Sequence, residues 1–377
     1  MAADLNRRGV YMPTDAPRAV PLGVLEDLRR RLRATRRVPL PSGVGWQRGT
    51  DADYLAELVS AWAESYDWRP HEDRIRALPW VQTPGVGAGL RSIHQRAAEA
   101  SAPVVVLLHG WPDSVLRFER VLPQLSDMHV VAPALPGFPF ADELTEPGMS
   151  ATAIAQAVAG ALAELGYKRY VLSGGDIGGN VAEQLAAAHP ERVVAMHLTN
   201  LPPRHLRAVD PATLTPDEQD ALASARAWQM TEGGYIAEQS TKPHSLAPAL
   251  GDSPAGLAAW IVEKLRSWSD CGGDVESVFP REDLLTWITA YWVTATIGTS
   301  FSSYVEPSAP VAHVDAPVAM SSYPHDITIG NRALAERFLN IKLWNTHDAG
   351  GHFAAWEQPE SYAQGVRDAI SLTRPSI

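Results

Sequence analysis

The first hydrophobic residues of the chain recur at the spacing of helices. Over residues 22–37 the leucines fall on one helix face and arginines occupy the opposite face. These leucines are Leu22, Leu25, Leu28 and Leu32. Residues 51–68 show a second amphipathic pattern, with Asp51 placed to cap its start. The pattern predicts a helical N-terminal extension over residues 1–80 that begins with a flexible arm.

Short apolar runs replace the helical spacing from about residue 81 onward. Runs of this length without polar alternation are typical of strands that are buried on both faces of a parallel sheet. They occupy residues 104–109, 130–135, 170–173 and 193–198. Helical spacing returns between them at 151–165 and 178–188. The alternation of strands and helices predicts a mostly parallel sheet that is flanked by helices.

The strand pattern stops between residues 204 and 311, where helical spacing dominates. Helices are predicted there at 216–231, 254–268 and 282–296. Strands return at 317–321 and 342–345, and a last helix is predicted at 357–370. This order predicts an α/β core over residues 81–203 and 312–377, with a helical cap over residues 204–311 inserted between two of its strands.

One apolar strand ends in a glycine-rich turn that carries a single acidic residue. Residues 171–180 have the sequence Val-Leu-Ser-Gly-Gly-Asp-Ile-Gly-Gly-Asn, in which Asp176 is flanked by small residues. We assign the small positions to Gly174, Gly178 and Gly179. The nucleophile of an α/β-hydrolase sits on a sharp strand-to-helix turn that excludes larger side chains. The turn therefore predicts the α/β-hydrolase fold with Asp176 as nucleophile, and the alternative is an aspartate that caps the following helix.

A carboxylate in the nucleophile position restricts the chemistry. It forms an ester with an alkyl carbon, so it predicts epoxide opening or halide displacement and not the hydrolysis of esters or amides. A serine esterase would carry the motif Gly-x-Ser-x-Gly, which the sequence does not contain.

The loop after the first core strand supplies the partner of this turn. His109-Gly110-Trp111-Pro112 follows the apolar run at 104–108. An oxyanion hole on this fold combines a backbone N–H from such a loop with the N–H of the residue after the nucleophile. We therefore predict Trp111 and Ile177 as the two backbone donors, and we interpret His109 as a buried structural residue.

A histidine and an acid should follow the nucleophile along the chain, in the order of catalytic residues on this fold. His352 is the last histidine, and the two glycines before it favour a loop that can reach the nucleophile. His347 and His325 are the competing histidines, and we interpret both as loop residues. Asp326 follows the strand at 317–321 and is the predicted acid, with Asp348 as the weaker alternative.

An epoxide oxygen needs a hydrogen-bond donor as its ring opens, and neutral phenols can provide one. The predicted cap contains Tyr235 and Tyr304. Spacing alone does not select them among the ten tyrosines, because large aromatic residues more often serve packing.

Composition limits the function classes further. The 377 residues carry a formal net charge of −11, which argues against a nucleic-acid partner. Cys271 is the one cysteine of the sequence, so no intrachain disulfide can form. We find no signal peptide and no apolar run near the roughly 18 residues that span a bilayer. We expect a cytoplasmic protein that needs no membrane, metal or cofactor, and its oligomeric state, with a homodimer as one alternative, is left open.

Several separate segments together resemble one known family. They are Asp-Leu-Arg-Arg-Arg-Leu at 27–32, Tyr-Asp-Trp-Arg at 66–69, His-Gly-Trp-Pro at 109–112, Gly-Gly-Asp at 174–176, Gln-Ser-Thr-Lys-Pro at 239–243, Asp-Ser-Pro-Ala-Gly-Leu at 252–257, Glu-Lys at 263–264, Gly-Gly-His-Phe-Ala-Ala at 350–355 and Glu-Gln-Pro-Glu at 357–360. With these segments the chain resembles the microsomal-type epoxide hydrolases that have an N-terminal extension, in their soluble bacterial branch. The resemblance covers nearly the whole chain after residue 20.

The resemblance implies a role for each matching residue. Asp176 would be the nucleophile, His352 the base and Asp326 the acid, while Tyr235 and Tyr304 would bind the oxirane oxygen. The reaction would convert a small-molecule epoxide, aryl or bulky, and water to a vicinal diol through a covalent aspartyl ester.

The chain differs from many family members at one position, and the resemblance also suggests a biological role. Many family members carry Trp after the nucleophile where this chain has Ile177, so the resemblance implies a differently shaped pocket floor here. An actinobacterial relative would fit the composition, with a role in natural-product biosynthesis, such as that of enediynes, or in detoxification. Two rival functions stay open, a haloalkane-type dehalogenase with the same Asp and His residues, and a non-catalytic hydrolase-like binding protein.

Overall fold

The computed structural model of the chain describes residues 15–41, 43–84, 89–144, 146–327 and 330–373. Most of the flexible arm expected at the start of the N-terminal extension falls on residues 1–14, outside these ranges. Among the helices in the described ranges, none combines the length and the apolar character that crossing a membrane requires.

The N-terminal extension contains helices α1 (Leu22–Arg33), α2 (Ala52–Glu64) and α3 (Trp68–Arg76). The predicted leucine face of α1 is buried except at Leu22, the first helical residue, which is 61% exposed. Asp51 caps α2 as predicted, because its carboxylate accepts hydrogen bonds from two backbone N–H groups at 2.9 Å. The second predicted helix ends early, because the Asp67 carboxylate caps a new helix start at α3.

The core of the described chain is an eight-stranded sheet. Its strands are β1 (Trp80–Thr83), β2 (Leu90–Gln95), β3 (Val104–Leu108), β4 (His129–Pro133), β5 (Tyr170–Gly174), β6 (Val193–Leu198), β7 (Val314–Ser322) and β8 (Leu339–Thr346). They lie in the order β1-β2-β4-β3-β5-β6-β7-β8, and all neighbours from β4 onward are parallel. This mostly parallel sheet confirms the predicted α/β-hydrolase fold.

The first two strands were not predicted from the sequence. β1 pairs with β2 in antiparallel fashion, and β2 pairs with β4 in the same way. Polar residues interrupt β2 at Arg91, Ser92 and His94, so it lacks the continuous apolar run of the buried parallel strands.

Helices connect the parallel strands along the chain. α4 (Ala151–Glu164) precedes β5, and α5 (Asp176–Ala188) follows it directly. The sequence predicted α5 from residue 178 onward, but the helix begins at the aspartate itself. Its first turn therefore stands at the carboxyl end of β5, which lies between β3 and β6 in the sheet.

Between β6 and β7 the chain leaves the sheet and forms a helical insertion. Its helices are α6 (Pro203–Ala208), α7 (Pro216–Glu232), α8 (Gly234–Thr241), α9 (Pro243–Asp252), α10 (Pro254–Trp268), α11 (Arg281–Thr294) and α12 (Ser302–Val305). The three helices predicted here correspond to α7, α10 and α11. The sequence missed α6, α8 and α12 because they are short, and α9 because Pro248 interrupts it.

The N-terminal extension packs against the outside of this insertion. The Thr50 hydroxyl donates a hydrogen bond to the carbonyl oxygen of Ala259 in α10 at 2.6 Å. The hydroxyl oxygens of Tyr66 and of Thr286 in α11 lie 2.9 Å apart in a buried contact. The extension thus contacts both α10 and α11.

The chain returns to the sheet at β7 and closes with helices. These are α13 (Arg332–Glu336), α14 (Ala354–Glu357) and α15 (Pro359–Ser371). The predicted last helix over 357–370 is α15, whose start at Pro359 is favoured because proline suits the first turn of a helix.

Candidate active site

Asp176 lies on the sharp turn between β5 and α5. Its backbone has a φ of +55°, in the left-handed region that non-glycine residues rarely adopt. A Cβ atom on Gly178 would overlap the carbonyl oxygen of Leu108, and one on Gly110 would lie 2.6 Å from the Cβ of Asp176. Close packing of three backbone segments therefore enforces small residues around this carboxylate.

The glycines that this packing requires differ in part from the predicted set. A Cβ on Gly179 would lie no closer than 3.7 Å to its neighbours, so space does not require glycine there. A Cβ on Gly175 would instead overlap the Thr199 hydroxyl, which makes Gly175 the tight position. Gly175 is also the N-cap residue of α5, so the alternative reading of Asp176 as the helix cap is wrong.

Two backbone donors converge on the Asp176 carboxylate. The N–H of Trp111 donates to Oδ1 at 2.9 Å, and the N–H of Ile177 also hydrogen-bonds to the carboxylate. Burial raises the pKa of Asp176, while His352 and the two N–H groups oppose that shift. The structure thus brings together the two donors that were predicted for an oxyanion hole.

His352 is buried beside the carboxylate, with 1% of its surface exposed. Its Nδ1 lies 2.7 Å from Oδ1 of Asp326, and its Nε2 lies 3.7 Å from Oδ2 of Asp176. Because a carboxylate accepts at Nδ1, that nitrogen carries the hydrogen and Nε2 presents its lone pair toward Asp176. Burial lowers the pKa of His352, but Asp326 and then Asp176 outweigh it, so the pKa is raised overall.

Asp326 occupies the acid position, and Asp348 is exposed on the surface. The Asp326 carboxylate accepts hydrogen bonds from the N–H of Ile327 at 2.6 Å and from the amide of Asn200 at 3.2 Å. The carbonyl oxygen of the Asn200 side chain accepts from the N–H of Asp176 at 3.2 Å. A single amide therefore connects the predicted acid with the backbone of the predicted nucleophile.

Sequence analysis missed Asn200, although a signal for it exists. It follows β6 by two residues, and β6 is the parallel neighbour of β5. The carboxyl ends of parallel strands meet at one edge of the sheet, so a polar residue at this point falls near the turn after β5.

The loop of His352 is tied both to the core and to the helical insertion. The N–H of His352 donates to the carbonyl of Trp268 at 2.8 Å, and its carbonyl accepts from Arg117 at 2.9 Å. Glu357 accepts hydrogen bonds from the N–H groups of Asp270 and Phe353, at 2.8 and 2.9 Å. Burial raises the pKa of Glu357 to about 7.

The competing histidines lie elsewhere. His325 is exposed and pairs with Asp270 at 3.3 Å, while His347 is half-buried and stacks on Tyr323 at a ring distance of 4.4 Å. His109 is fully buried, and its Nε2 accepts from the N–H of Leu135 at 3.1 Å. The interpretation of His109 as a structural residue agrees with this position.

The two predicted tyrosines meet above Asp176 although they come from different helices. Tyr235 in α8 and Tyr304 in α12 have ring centroids 6.2 Å apart. The Trp111 ring stacks on Tyr235 at 5.3 Å and meets Tyr304 edge-on at 6.1 Å. Burial, followed by the negative charge of Asp176, raises the pKa of both tyrosines well above the usual value. Both phenols are therefore neutral donors.

A cavity of about 580 Å³ opens between the sheet and the helical insertion. Asp176 and Ile177 line its floor, and Tyr235 and Tyr304 line its roof. The cavity is large enough for a substrate of drug-like size. Its lining brings together a carboxylate and two phenol donors, and the buried imidazole of His352 lies 3.7 Å from that carboxylate. These groups can perform nucleophilic attack at carbon followed by hydrolysis of the resulting ester.

Comparisons with known sequences match both parts of the chain. A family model described as "Epoxide hydrolase N terminus" matches residues 14–118, and one described as "alpha/beta hydrolase fold" matches residues 103–241. The "Putative epoxide hydrolase" of Stigmatella aurantiaca is 37% identical over 374 residues, which cover 94% of this chain and 84% of that relative. "Epoxide hydrolase 1" of Sus scrofa is 27% identical over 393 residues, which cover 92% of this chain and 86% of that relative.

Comparisons with solved structures give the same grouping. The juvenile hormone epoxide hydrolase of Bombyx mori superposes with a TM-score of 0.85 and 26% identity, covering 95% of this chain and 94% of that one. The epoxide hydrolase of Aspergillus niger superposes with a TM-score of 0.83 and 25% identity, covering 96% of this chain and 98% of that one. The likeness thus includes the extension, the sheet and the helical insertion.

Proposed function

This chain belongs to the epoxide hydrolase family and is an enzyme of that class, and from this premise we propose that it opens its substrate through a covalent ester on Asp176. The observation that carries the proposal is the position of the Asp176 carboxylate. One oxygen, Oδ1, is held by the N–H of Trp111 at 2.9 Å. The other, Oδ2, is 3.7 Å from Nε2 of His352 at the floor of the cavity.

In the first step Oδ2 of Asp176 attacks an oxirane carbon, and the bond from that carbon to the ring oxygen breaks. The ring oxygen receives hydrogen bonds from Tyr235 and Tyr304 and takes a proton from one of them. A β-hydroxyalkyl ester of the aspartate results. Since the pKa values of both phenols are raised, each starts the reaction protonated.

In the second step His352 removes a proton from water, and the resulting hydroxide attacks the carbonyl carbon of the ester. The N–H groups of Trp111 and Ile177 stabilise the tetrahedral oxyanion, and losing one such donor costs about 100- to 1,000-fold in rate. The diol leaves, the carboxylate is restored with one oxygen from water, and the proton on His352 returns to the tyrosinate.

A single turnover in water labelled with heavy oxygen tests the covalent route. With enzyme in excess over styrene oxide, the first diol should be unlabelled, because its new oxygen comes from Asp176. The label should appear instead in the peptide that contains Asp176. Label in the first diol would show direct attack by water and would contradict the ester intermediate.

Halide displacement is the second candidate, and one observation favours it. The indole N–H of Trp111 is buried and has no hydrogen-bond partner within the described part of the chain. An indole N–H in this place could bind a halide ion that leaves the substrate. An assay of chloride release from chloroalkanes, run beside epoxide turnover, separates the two reactions.

The cavity also supports a preference among epoxides. Aromatic rings of Trp228, Tyr235 and Tyr304 line it, together with Ile236 and Leu222. Aryl or bulky epoxides therefore fit better than small polar ones. A panel of aryl and aliphatic epoxides tests this preference. The expected role in natural-product biosynthesis or detoxification stays a prediction.

A further inference from the structure

Three positively charged side chains line the cavity, and we call them the arginine wall. Arg204 and Arg207 come from α6, and Arg226 comes from α7. The lining of the cavity also includes the carboxylate of Glu306. This excess of arginine is unexpected in a chain whose formal net charge is −11.

Arg204 is held in position by its neighbours. Its guanidinium forms an ion pair with the buried carboxylate of Glu183 and a hydrogen bond with the side chain of Asn180. Its Nε is buried and has no hydrogen-bond partner among the residues that the structure describes. Arg204 thus combines a fixed orientation with an unused donor at the cavity wall.

Arg207 and Arg226 differ from Arg204 because their charges are unpaired. Both are exposed at the cavity, and neither forms an ion pair or hydrogen bond with a residue in the described ranges. A guanidinium matches the planar, bidentate geometry of a carboxylate. Two such groups in the lining of one cavity can form a receptor for an anion at the end of a bound molecule.

Building on the proposed function, we propose that this enzyme acts on epoxides that carry a carboxylate remote from the oxirane ring. The oxirane lies between Asp176 and the tyrosines, and the carboxylate lies against Arg207 and Arg226. The apolar part of the substrate fills the cavity between them.

A matched pair of substrates tests the proposal. The probes are 9,10-epoxystearic acid and its methyl ester, which share the oxirane and differ only in the anionic group. The wild-type enzyme should have a higher kcat/KM for the acid, by about three- to tenfold, because exposed ion pairs contribute up to about 1 kcal/mol each. The preference should decrease with added salt, since salt screens exposed charges.

Variants locate the preference on the cavity wall. In the double variant R207Q/R226Q the acid and the ester should react with equal kcat/KM, while kcat/KM for the ester stays within about twofold. The matched control is R36Q/R48Q, which removes the same charge from exposed residues that do not line the cavity. This control should keep the preference for the acid.

Equal kcat/KM values for acid and ester in the wild type would overturn the proposal, and so would a preference that survives in R207Q/R226Q. These results differ from a failure of the proposed function, in which heavy oxygen from water would appear in the first diol from either epoxide, or no diol would form at all.

A second inference concerns a buried lysine against the ring of Tyr235. Lys264 in α10 is 7% exposed, and its Nζ lies 5.0 Å from the centroid of the Tyr235 ring. It also lies 5.9 Å from the Trp260 ring and 5.8 Å from the Trp268 ring, and it pairs with the adjacent Glu263. A buried charge is costly unless it is paired, and Glu263 supplies the partner here.

The ammonium group acts on Tyr235 through the face of the ring. A cation over a phenol stabilises negative charge on its oxygen and so strengthens the hydroxyl as a donor. The carboxylates of Asp176 and Glu263 have the opposite effect on this phenol. Lys264 therefore offsets negative charge that would make Tyr235 a weaker donor.

We infer that Lys264 is a positioning residue for ring opening, which it assists through the hydroxyl of Tyr235. This rests on the proposed function and is independent of the arginine wall. The K264M variant should slow alkylation of Asp176 about tenfold in single turnovers, measured by rapid quench and mass spectrometry of the ester. K264R, which keeps the cation, should restore the rate to within about threefold.

A double-mutant cycle separates this role from a merely structural one. In the Y235F background K264M should have no further effect on alkylation, because the hydroxyl through which the lysine acts is gone. The rate of ester hydrolysis should be unchanged in K264M. An equal loss in both backgrounds, or a parallel loss in hydrolysis, would contradict the inference. K264Q serves as the second variant if K264M does not fold.

Discussion

The floor and the roof of the cavity are built in different ways. At the floor, Asp176 and His352 are positioned by backbone hydrogen bonds and by glycines that leave no room for a Cβ. At the roof, Tyr235 and Tyr304 are positioned by ring packing at centroid distances of 5 to 6 Å. Main-chain geometry thus fixes the nucleophile and the base, whereas side-chain packing fixes the donors.

This difference has a kinetic meaning. In the proposed mechanism the floor groups form or break covalent bonds, so removing them removes a chemical step. In the same mechanism the roof groups stabilise charge on the leaving oxygen, so removing one leaves the other in place. Substitutions at the floor should therefore have larger effects than those at the roof, and they should affect different steps.

The largest effect is expected for Asp176→Ala, which deletes the nucleophile from the floor. Diol formation should fall by at least about 10⁴-fold, because the carboxylate that forms the ester in the proposed mechanism is gone. The variant should still fold, as measured by circular dichroism and by its melting temperature. Residual turnover above about 1% of wild type would place the nucleophile elsewhere.

His352→Gln should reduce steady-state turnover by about 10³-fold while leaving the first step intact. The ester on Asp176 should then accumulate to one equivalent, because the base that activates water is missing. Intact-protein mass spectrometry after addition of styrene oxide measures the adduct. Absence of the adduct together with slow turnover would mean that His352 acts before ring opening.

Asp326→Asn tests how Asp326 supports His352 and how the rate of ester hydrolysis depends on pH. His352 acts as a base only when neutral, so ester hydrolysis should increase with pH and level off above the raised pKa of His352. Removing the Asp326 charge should lower this pKa, move the rise to lower pH and reduce the plateau about 100-fold. The control Asp348→Asn should leave both unchanged, because Asp348 is exposed.

Tyr235→Phe and Tyr304→Phe test the roof. Each should slow alkylation by about 10- to 100-fold and leave ester hydrolysis unchanged, since one donor remains for the leaving oxygen. Single-turnover quench experiments measure the two steps separately. Tyr66→Phe is the control for loss of a buried hydroxyl, because Tyr66 contacts Thr286 outside the cavity. A roof variant that slows only hydrolysis would reverse the assignment of the two regions.

The smallest effect is expected for Asn200→Ala, which removes the amide between the two parts of the floor. Turnover should fall by about tenfold, because two hydrogen bonds of about 1 kcal/mol are lost but no reacting group is. Asn340→Ala is the matched control, since Asn340 hydrogen-bonds to the carbonyl of Asp315 near the surface. A loss as large as that of Asp326→Asn would assign the amide a direct part in the reaction.

The sequence predicted the floor of the cavity better than its roof. The glycine turn at Asp176 and the loop at Trp111 leave a readable motif, because close backbone approach permits few residue types. The roof leaves no such motif in the sequence. Rings whose centroids lie 5.3 and 6.1 Å apart can be supplied by many arrangements of aromatic residues. Tyr235 and Tyr304 were therefore singled out by family resemblance, and spacing did not distinguish them from other tyrosines.

The elements that the sequence missed share a physical reason as well. β1 and β2 have a mixed polar character, and α6, α8 and α12 are too short for a period to emerge. Gly175 was overlooked in favour of Gly179 because the collision with the Thr199 side chain depends on a distant strand end. Contacts between segments far apart in the chain are not contained in local spacing.

The contact of the N-terminal extension with α10 and α11 affects the cavity as well as the stability of the fold. Helix α10 carries Lys264 and Trp268, and both contact the Tyr235 ring. The cavity is therefore shaped in part by the N-terminal extension, although the proposed reactive groups all come from later segments. Deletion of the N-terminal extension should leave the sheet folded but displace the helical insertion above it.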